Sequence, residues 1–193
     1  MTLDWGHPQP RQAIRMTETT TGAPGGAPWQ DAIFEALKAA GVGIVGYVPD
    51  AGHAHVIRRA RADPAVDAIV LTTEEEGVAL AGGAWLGGAR SVLLMQSSGV
   101  GNCVNMLGLV RSCRFPFVAL VTMRGEWEEF NPWQEPMGRA VQPVLEAMGV
   151  GVLRARTPDD VAAMVPAALD SAFRDERPVA VLLSQQLIGA KEW

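Results

Sequence analysis

The chain has 193 residues, of which 48% are hydrophobic, and its 16 Lys and Arg against 21 Asp and Glu give a formal net charge of -5. This length fits one domain around a single core, and the mixed charges form no basic surface, so we expect no nucleic-acid binding. The apolar runs are far shorter than the ~20 residues of a membrane-spanning helix, so we expect no membrane contact. Cys103 and Cys113 form no CxxC pair, which excludes zinc ribbons and disulfide scaffolds and favours a reducing, cytoplasmic location.

The first 28 residues differ in composition from the rest of the chain. They are rich in Pro, Gly and Thr, and their apolar residues follow no period. Such a segment buries too little surface to offset the entropy lost on ordering. We therefore expect residues 1–28 to form a flexible amino-terminal arm and residues 29–193 to form the folded domain.

From Trp29 onward, helical periods alternate with short apolar runs, which is typical of an α/β domain with a mainly parallel sheet. The predicted elements, in chain order, are helix 29–40, strand 42–47, helix 52–62, strand 67–72, helix 75–87, strand 91–95, helix 101–112, strand 117–122, helix 136–148, strand 150–154, helix 158–174 and strand 178–183. The predicted fold is a three-layer sandwich with a central six-stranded, mainly parallel sheet. Thr157, with Pro158 at the first helical position, gives the clearest helix start.

Ligands of open parallel sheets bind beyond the carboxyl ends of the strands. The segments to examine are therefore the four that follow strands, namely 48–53, 72–77, 96–102 and 123–135. Gly41, Gly43 and Gly46 spell GxGxxG, but this motif leaves a helix and enters a strand, the reverse of a dinucleotide loop. We expect Gly41 to end the first helix instead.

The segment 72–77 carries three consecutive carboxylates, Glu74, Glu75 and Glu76, at the start of a helix rich in Gly and Ala. A favourable interaction with the helix dipole explains them in part. The alternative is a functional carboxylate, because the small residues let this helix approach another surface and the segment lies at the ligand end of the sheet. A carboxylate there can bind a heterocyclic nitrogen.

The two later segments differ in character. Segment 96–102 reads QSSGVGN, and its glycines and helix-start N–H groups favour an anion or a polar ring edge, although an ordinary capped turn fits equally well. The segment 123–135 carries Trp127, Phe130 and Trp133 among polar residues. Aromatic side chains in a polar loop indicate a lid or a subunit contact.

Together these segments resemble the pyrimidine-binding domain of thiamine-diphosphate enzymes. The motifs that carry the resemblance are GYVPD, TTEEEGVALAGGAWLGG, LLMQSSGVGNCVN, RGE and PMGRAVQPVLEAMGV, in the order and spacing of that domain over residues 30–188. Within this superfamily the chain is most similar to the alpha subunit of sulfopyruvate decarboxylase and to the amino-terminal part of phosphonopyruvate decarboxylase.

The resemblance implies roles for particular residues. The catalytic glutamate of the family lies nine residues before a glycine of the small-residue helix, and counting back from Gly83 gives Glu74. This carboxylate would hydrogen-bond N1′ of the aminopyrimidine and favour its imino form, which removes the proton from thiazolium C2. The further cofactor contacts that the resemblance implies are Gln96, Ser97, Ser98, Gly99 and Asn102.

The second half of the cofactor site is missing from the sequence. In the family, the diphosphate is held by Mg²⁺ and a GDG motif, and no GDG occurs in these residues. The resemblance therefore implies a beta subunit that carries the diphosphate-binding domain and the Mg²⁺ ligands, with no metal ligand in this chain. The implied reaction is decarboxylation of a small anionic 2-oxo acid similar to sulfopyruvate or phosphonopyruvate.

The substrate contacts are less determined. His53 is either an active-site proton donor or anion contact, or a structural residue at a helix start, whereas we expect His55 to be structural. Arg124 either meets the anionic end of the substrate or pairs with a carboxylate such as Glu126 or Glu128. The relatives have a serine at Ala51 and QNSG where this chain has QSSG, so the 2-oxo acid stays open.

Two alternative functions remain at this stage. One is a subunit of a thiamine-diphosphate carboligase or lyase, which would share Glu74 and differ in the final acceptor. The other is a noncatalytic assembly subunit that keeps the same fold.

Overall fold

The computed structural model describes residues 29–189, and the predicted arm 1–28 lies outside them. Six strands form one sheet: β1 (Val42–Tyr47), β2 (Asp67–Val70), β3 (Arg90–Gln96), β4 (Val118–Thr122), β5 (Gly151–Ala155) and β6 (Val179–Leu183). Their order is β2-β1-β3-β4-β6-β5, and every neighbouring pair is parallel. The predicted sheet is thus confirmed and is wholly parallel.

Helices cover both faces of this sheet. They are α1 (Trp29–Ala39), α2 (Ala54–Ala62), α3 (Glu74–Leu86), α4 (Ser97–Cys103), α5 (Leu107–Cys113), α6 (Glu135–Ala147), α7 (Pro158–Asp175) and α8 (Gln185–Ile188), with a 3₁₀ turn at Pro132–Gln134. Apolar residues of α1, α2 and α7 pack with the sheet in one core. Those of α3, α4, α5 and α6 pack in a second core on the opposite face. The three-layer α/β sandwich is confirmed.

The central strands explain why the sheet forms two cores. All five residues of β4 are buried, and they alternate between the two faces: Val118 and Leu120 enter the first core, while Ala119 and Val121 enter the second. A strand covered on both faces is a continuous apolar run, as in most parallel sheets. Among the described residues, no helix is long and apolar enough to cross a membrane.

One predicted helix was wrong. The structure has two helices, α4 and α5, where the sequence pattern indicated one helix over 101–112, and α4 already begins at Ser97 inside the segment predicted as a loop. The chain leaves β3 at Gln96 in an extended conformation and turns directly into the helix. Glycines at this helix start were interpreted as loop residues, although they serve close packing, as described below.

Two predicted helix boundaries are confirmed by their hydrogen bonds. The Thr157 hydroxyl accepts a hydrogen bond from the Asp160 N–H at 3.2 Å, and the Asp160 carboxylate accepts one from the Thr157 N–H at 3.0 Å, which makes a capping box. After α1, Gly41 has φ +68° and its N–H donates to the Lys38 carbonyl. Glycine adopts this left-handed conformation without steric strain, so it ends the helix.

Candidate active site

The candidate site lies at the switch point of the sheet, where the chain reverses the direction in which it adds strands. From β1 the chain first moves outward to β2 and then returns to pair β3 on the other side of β1. In open α/β sheets, the crevice at the carboxyl ends of two such strands is the usual ligand position. The segments that leave β1, β2 and β3 carry Asp50, Glu74 and Gln96.

Glu74 differs from its two neighbours in burial. It is 8% exposed, whereas Glu75 and Glu76 are exposed on the outside of α3. The Glu76 carboxylate accepts a hydrogen bond from the Thr72 N–H at 2.8 Å and so serves the helix start. The predicted dipole role therefore suits Glu76, while Glu74 points into the protein, where Asn102 Nδ2 donates to its Oε2 at 2.8 Å.

Two glycines allow close packing around the start of α3. A Cβ atom on Gly99 of α4 would lie 2.4 Å from Cγ and Cδ of Glu74. A Cβ on Gly77 of α3 would lie 2.3 Å from a methyl carbon of Leu93 in β3. No larger residue fits at either position without a shift of its surroundings, so Gly99 lets α4 pack against the Glu74 side chain and Gly77 lets α3 pack against β3.

Cys103, near the Glu74 carboxylate, is unreactive. Burial, together with the charges of Glu74 and Glu75, raises the pKa of the Cys103 thiol to about 12. The reactive form of cysteine is the thiolate. Cys103 is therefore a neutral core residue at neutral pH, and Glu74 is the ionisable group that matters at this position.

Gln96 joins a second group of polar side chains. Its Nε2 donates to Asp50 Oδ1 at 3.4 Å, while its Oε1 accepts hydrogen bonds from Ser98 Oγ at 2.8 Å and from Gln134 Nε2 at 3.1 Å. Ser97 faces inward, where its Oγ accepts from the Arg124 N–H at 3.1 Å. The structure thus places the predicted cofactor residues in two adjoining groups, one at Glu74 and one at Gln96.

The predicted substrate residue His53 lies in the protein interior. It is fully buried, and its Nε2 lies 2.9 Å from the Leu120 carbonyl, so Nε2 must carry a proton and donate. Burial lowers the pKa of His53, which favours the neutral ring. Within residues 29–189, its Nδ1 has no hydrogen-bond partner. His53 therefore has the structural role expected at the start of α2, and its contact with the substrate stays a prediction.

Arg124 pairs with a carboxylate other than the two named by the sequence prediction. Its Nε donates to Glu129 Oε2 at 2.7 Å and its Nη2 donates to Glu129 Oε1 at 2.5 Å, whereas Glu126 pairs with Arg154. The expected alternative, a pair between Arg124 and a carboxylate, is thus present, with Glu129 in place of Glu126 or Glu128. The sequence does not show which carboxylate is used, because this depends on the local turn, in which Glu128 has φ +44°.

Glu129 organises the aromatic segment. Its carboxylate also accepts hydrogen bonds from the N–H groups of Gly125 and Asn131 and from Gln185 Nε2, each at 3.0 Å. Hydrogen bonding to Arg124 is the main reason that the pKa of Glu129 falls to about 2. The segment is therefore ordered from within by a buried, charged carboxylate.

The aromatic side chains of this segment reach solvent. Trp127 is 36% exposed and Trp133 is 67% exposed, while the Arg124 guanidinium lies over the Phe130 ring at 5.4 Å. Between this segment and α6 is a polar cleft of about 650 Å³, lined by residues that include Glu128, Glu135 and Arg139. Trp127 thus lines the cleft, and none of the three aromatic side chains is buried in a core.

A separate apolar groove lies between α3 and α5. It has a volume of about 270 Å³ and is lined by residues that include Gly82, Trp85, Leu109 and Phe115. Leu86, at the end of α3, is 89% exposed. Beyond the exposed Glu75 and Glu76, the outer side of α3 is thus apolar as well, unlike that of a helix that faces water.

Sequence reasoning missed three polar residues of the site. Asp50 and Thr122 follow strands and could have been found from that position alone. Gln134 had no such signal, because its contact with Gln96 joins residues far apart in the sequence. Within residues 29–189, no group of three or more His, Cys, Asp or Glu side chains could hold a metal ion.

Comparison with known proteins gives several relatives. The chain is 34% identical over 154 residues to sulfopyruvate decarboxylase subunit alpha of Methanococcus maripaludis, which covers 79% of this chain and 92% of the relative. The same-named subunit of Methanocaldococcus jannaschii is 30% identical over 152 residues, with 78% and 90% covered. Phosphonopyruvate decarboxylase of Streptomyces viridochromogenes is 34% identical over 156 residues, which cover 79% of this chain and 39% of that longer protein. No protein-family model matches the chain.

The fold has counterparts among solved structures. The 2-oxoglutarate:ferredoxin oxidoreductase from Magnetococcus marinus matches with a TM-score of 0.66 and 17% identity, over 84% of this chain and 29% of that one. This likeness concerns the fold alone, and it agrees with the predicted three-layer α/β sandwich. Because relatives at 30–34% identity are matched over nearly their whole length, the chain belongs to the family of sulfopyruvate decarboxylase alpha subunits.

Proposed function

We propose that this chain is the alpha subunit of a heteromeric, thiamine-diphosphate-dependent decarboxylase and that Glu74 is its catalytic carboxylate. The observation that carries the proposal is the burial of Glu74 at the switch point of the sheet, with Asn102 on Oε2. Within the described part of the chain, no donor occupies Oε1. One carboxylate oxygen thus remains for a ring nitrogen, in a position where charge-assisted hydrogen bonds are strong.

The residues around Glu74 suit an aminopyrimidine ring. Gly99 brings backbone close to the carboxylate, Asn102 fixes the orientation of the carboxylate, and Cys103 stays neutral beside it. Glu74 would hold and transfer a proton at ring atom N1′, which is general acid–base work. When bound, thiamine diphosphate supplies the electron sink for loss of carbon dioxide from a 2-oxo acid.

The metal and the diphosphate would be held by another subunit. The relatives at 34% and 30% identity are named subunit alpha, and this supports a beta subunit with the Mg²⁺ ligands. The apolar groove between α3 and α5, with the exposed Leu86, supports a protein contact on this chain, since exposed apolar patches mark such sites.

The proposed substrate is a small anionic 2-oxo acid similar to sulfopyruvate or phosphonopyruvate. The names of the relatives support this class. Glu129 engages Nε and Nη2 of Arg124, which leaves Nη1 for the anionic end of the substrate. His53 stays a proposed substrate contact. Because its ring is fully buried, this contact requires α2 to move.

The test is activity of the reconstituted complex with its beta subunit, with sulfopyruvate and phosphonopyruvate as substrates. We expect Glu74→Gln to lower the rate ~100-fold to 10,000-fold, the usual effect of removing a general acid–base group. Glu75→Gln and Glu76→Gln are the matched controls and should keep most activity, since both side chains are exposed.

Three other outcomes would contradict the proposal in distinct ways. Full activity of Glu74→Gln would favour a noncatalytic assembly subunit. Loss of activity in Glu75→Gln alone would move the catalytic position by one residue. Acyloin as the main product, in place of the aldehyde, would favour a carboligase.

A further inference from the structure

The Asp50 carboxylate is held firmly at the carboxyl end of β1. Thr122 Oγ1, at the end of β4, donates to Asp50 Oδ2 at 2.7 Å, and the Gly52 N–H donates to the same oxygen at 3.1 Å. A Cβ on Gly52 would lie 2.7 Å from Thr122 Cγ2, so this turn packs tightly against β4. Asp50 is therefore a fixed acceptor beside the switch point.

Because the Asp50 carboxylate only accepts hydrogen bonds, it determines the orientation of the Gln96 amide. Gln96 must turn Nε2 toward Asp50 Oδ1, at 3.4 Å, because the opposite amide orientation would place two acceptors together. Gln96 Oε1 then faces Ser98 Oγ and Gln134 Nε2 and accepts from both. Both acceptor positions of Gln96 are filled, while one hydrogen on its Nε2 is left over.

The far end of this chain of hydrogen bonds is incomplete. Gln134 is 4% exposed, and among residues 29–189 its Oε1 has no hydrogen-bond partner. An unsatisfied buried acceptor costs free energy and calls for an explanation other than stability. Gln134 thus donates to Gln96 although its own Oε1 is left without a partner.

We propose that Asp50 is a positioning residue, which orients the Gln96 amide so that its remaining Nε2 hydrogen is offered to an oxygen of the bound 2-oxo acid. This inference rests on the proposed function and adds a specificity to it. A fixed N–H donor suits a carboxylate or keto oxygen and disfavours a ligand that presents a donor at the same point. The negative charge of Asp50 acts through Gln96 and does not contact the substrate.

The decisive variant is Asp50→Asn, which keeps the shape but provides both a donor and an acceptor. The Gln96 amide can then adopt either orientation. Asp67→Asn is the matched control, because Asp67 lies at the start of exposed β2 and away from the site. Gln134→Met is a second variant that removes the donor on the other side of Gln96.

The first measurement needs neither cofactor nor partner. Side-chain amide signals of the full chain, labelled with ¹⁵N, report the exchange of the Gln96 Nε2 hydrogens with water. We expect Asp50→Asn to speed this exchange roughly 10-fold to 100-fold, the range for losing a hydrogen bond to a charged group. Gln134→Met should act in the same direction, and Asp67→Asn should have no effect. Unchanged exchange in Asp50→Asn would overturn the proposal.

The second measurement is kinetic and uses the assembled enzyme. Asp50→Asn should raise KM for the 2-oxo acid roughly 10-fold, with a much smaller change in kcat, and the change should disappear in a Gln96→Met background. An equal effect with and without Gln96 would overturn the positioning role. If the wild-type complex shows no decarboxylation, the proposed function fails, while the amide measurement still decides whether Asp50 orients Gln96.

Discussion

At the scale of single residues, Gly99 shows how a missing methyl group shapes the site. Its Cβ would meet the Glu74 side chain at 2.4 Å, so Gly99→Ala should destabilise the fold by ~1–3 kcal/mol through overpacking. A Cβ on Gly108, in α5, would have no atom within 4 Å, so Gly108→Ala should stabilise the fold by about 0.5–1 kcal/mol. Urea unfolding of both variants measures the difference, and equal shifts would contradict the packing described for Glu74.

The environments of the two predicted substrate residues could not be predicted from the residues alone. His53 and Arg124 were chosen for their chemistry and their place after strands. Burial of the His53 ring and the engagement of Arg124 by Glu129 depend on contacts across the fold. Glu74 was separated from its neighbours by the spacing to Gly83 that the family resemblance implies, whereas no motif pointed to the contact between Gln96 and Gln134.

At the scale of elements, the aromatic segment should make stability sensitive to acid. The pKa of Glu129 is about 2, below its usual value of 4.5, so its contribution is fully present above pH 4.5 and is lost as the pH falls toward 2. Glu129→Gln should lower the free energy of unfolding by up to ~3 kcal/mol at pH 7 and by much less near pH 2.

Urea unfolding across this pH range is the measurement. Asp170→Asn is the control, because its pair with Arg174 is exposed and such pairs contribute under ~1 kcal/mol. A destabilisation by Glu129→Gln that stays constant from pH 7 to pH 2 would contradict the role assigned to its charge.

The same segment should contact the beta subunit. Trp127, which lines the cleft, and Trp133 are both exposed, and aromatic side chains are enriched at interface centres. We expect Trp127→Ala together with Trp133→Ala to weaken assembly in a pull-down with the beta subunit. Arg174→Ala, on the opposite layer, is the control. Unchanged assembly and unchanged substrate affinity would assign these aromatics a purely local role.

At the scale of the whole molecule, the alternation of helices and strands was predictable because its causes are local. Apolar runs such as β4 and capping residues such as Thr157 are visible in the sequence. The division between α4 and α5 was not, because glycines that serve close packing against Glu74 look the same as glycines of a loop. Local patterns thus predicted the sheet, while tertiary packing decided the site.

The chain should have only part of a cofactor site. Since the proposed function assigns the diphosphate and Mg²⁺ ligands to a beta subunit, we expect the isolated chain to bind thiamine diphosphate more weakly than micromolar and to have no decarboxylase activity. Calorimetric titration of the purified chain, with and without the beta subunit, is the test. Micromolar or tighter binding by the chain alone would contradict this expectation.

The strand order also has a consequence for biosynthesis. In a nascent chain that emerges from its amino terminus, β2, β3 and β4 each find a partner strand already made. β5 does not, because its partner is β6, which is made later and enters between β4 and β5. Until α7 and β6 have been synthesised, β4 has an open edge and β5 is unpaired, and such edges promote misassembly. This half of the sheet is therefore the last to close, and its strand edges stay open until translation of the domain is nearly complete.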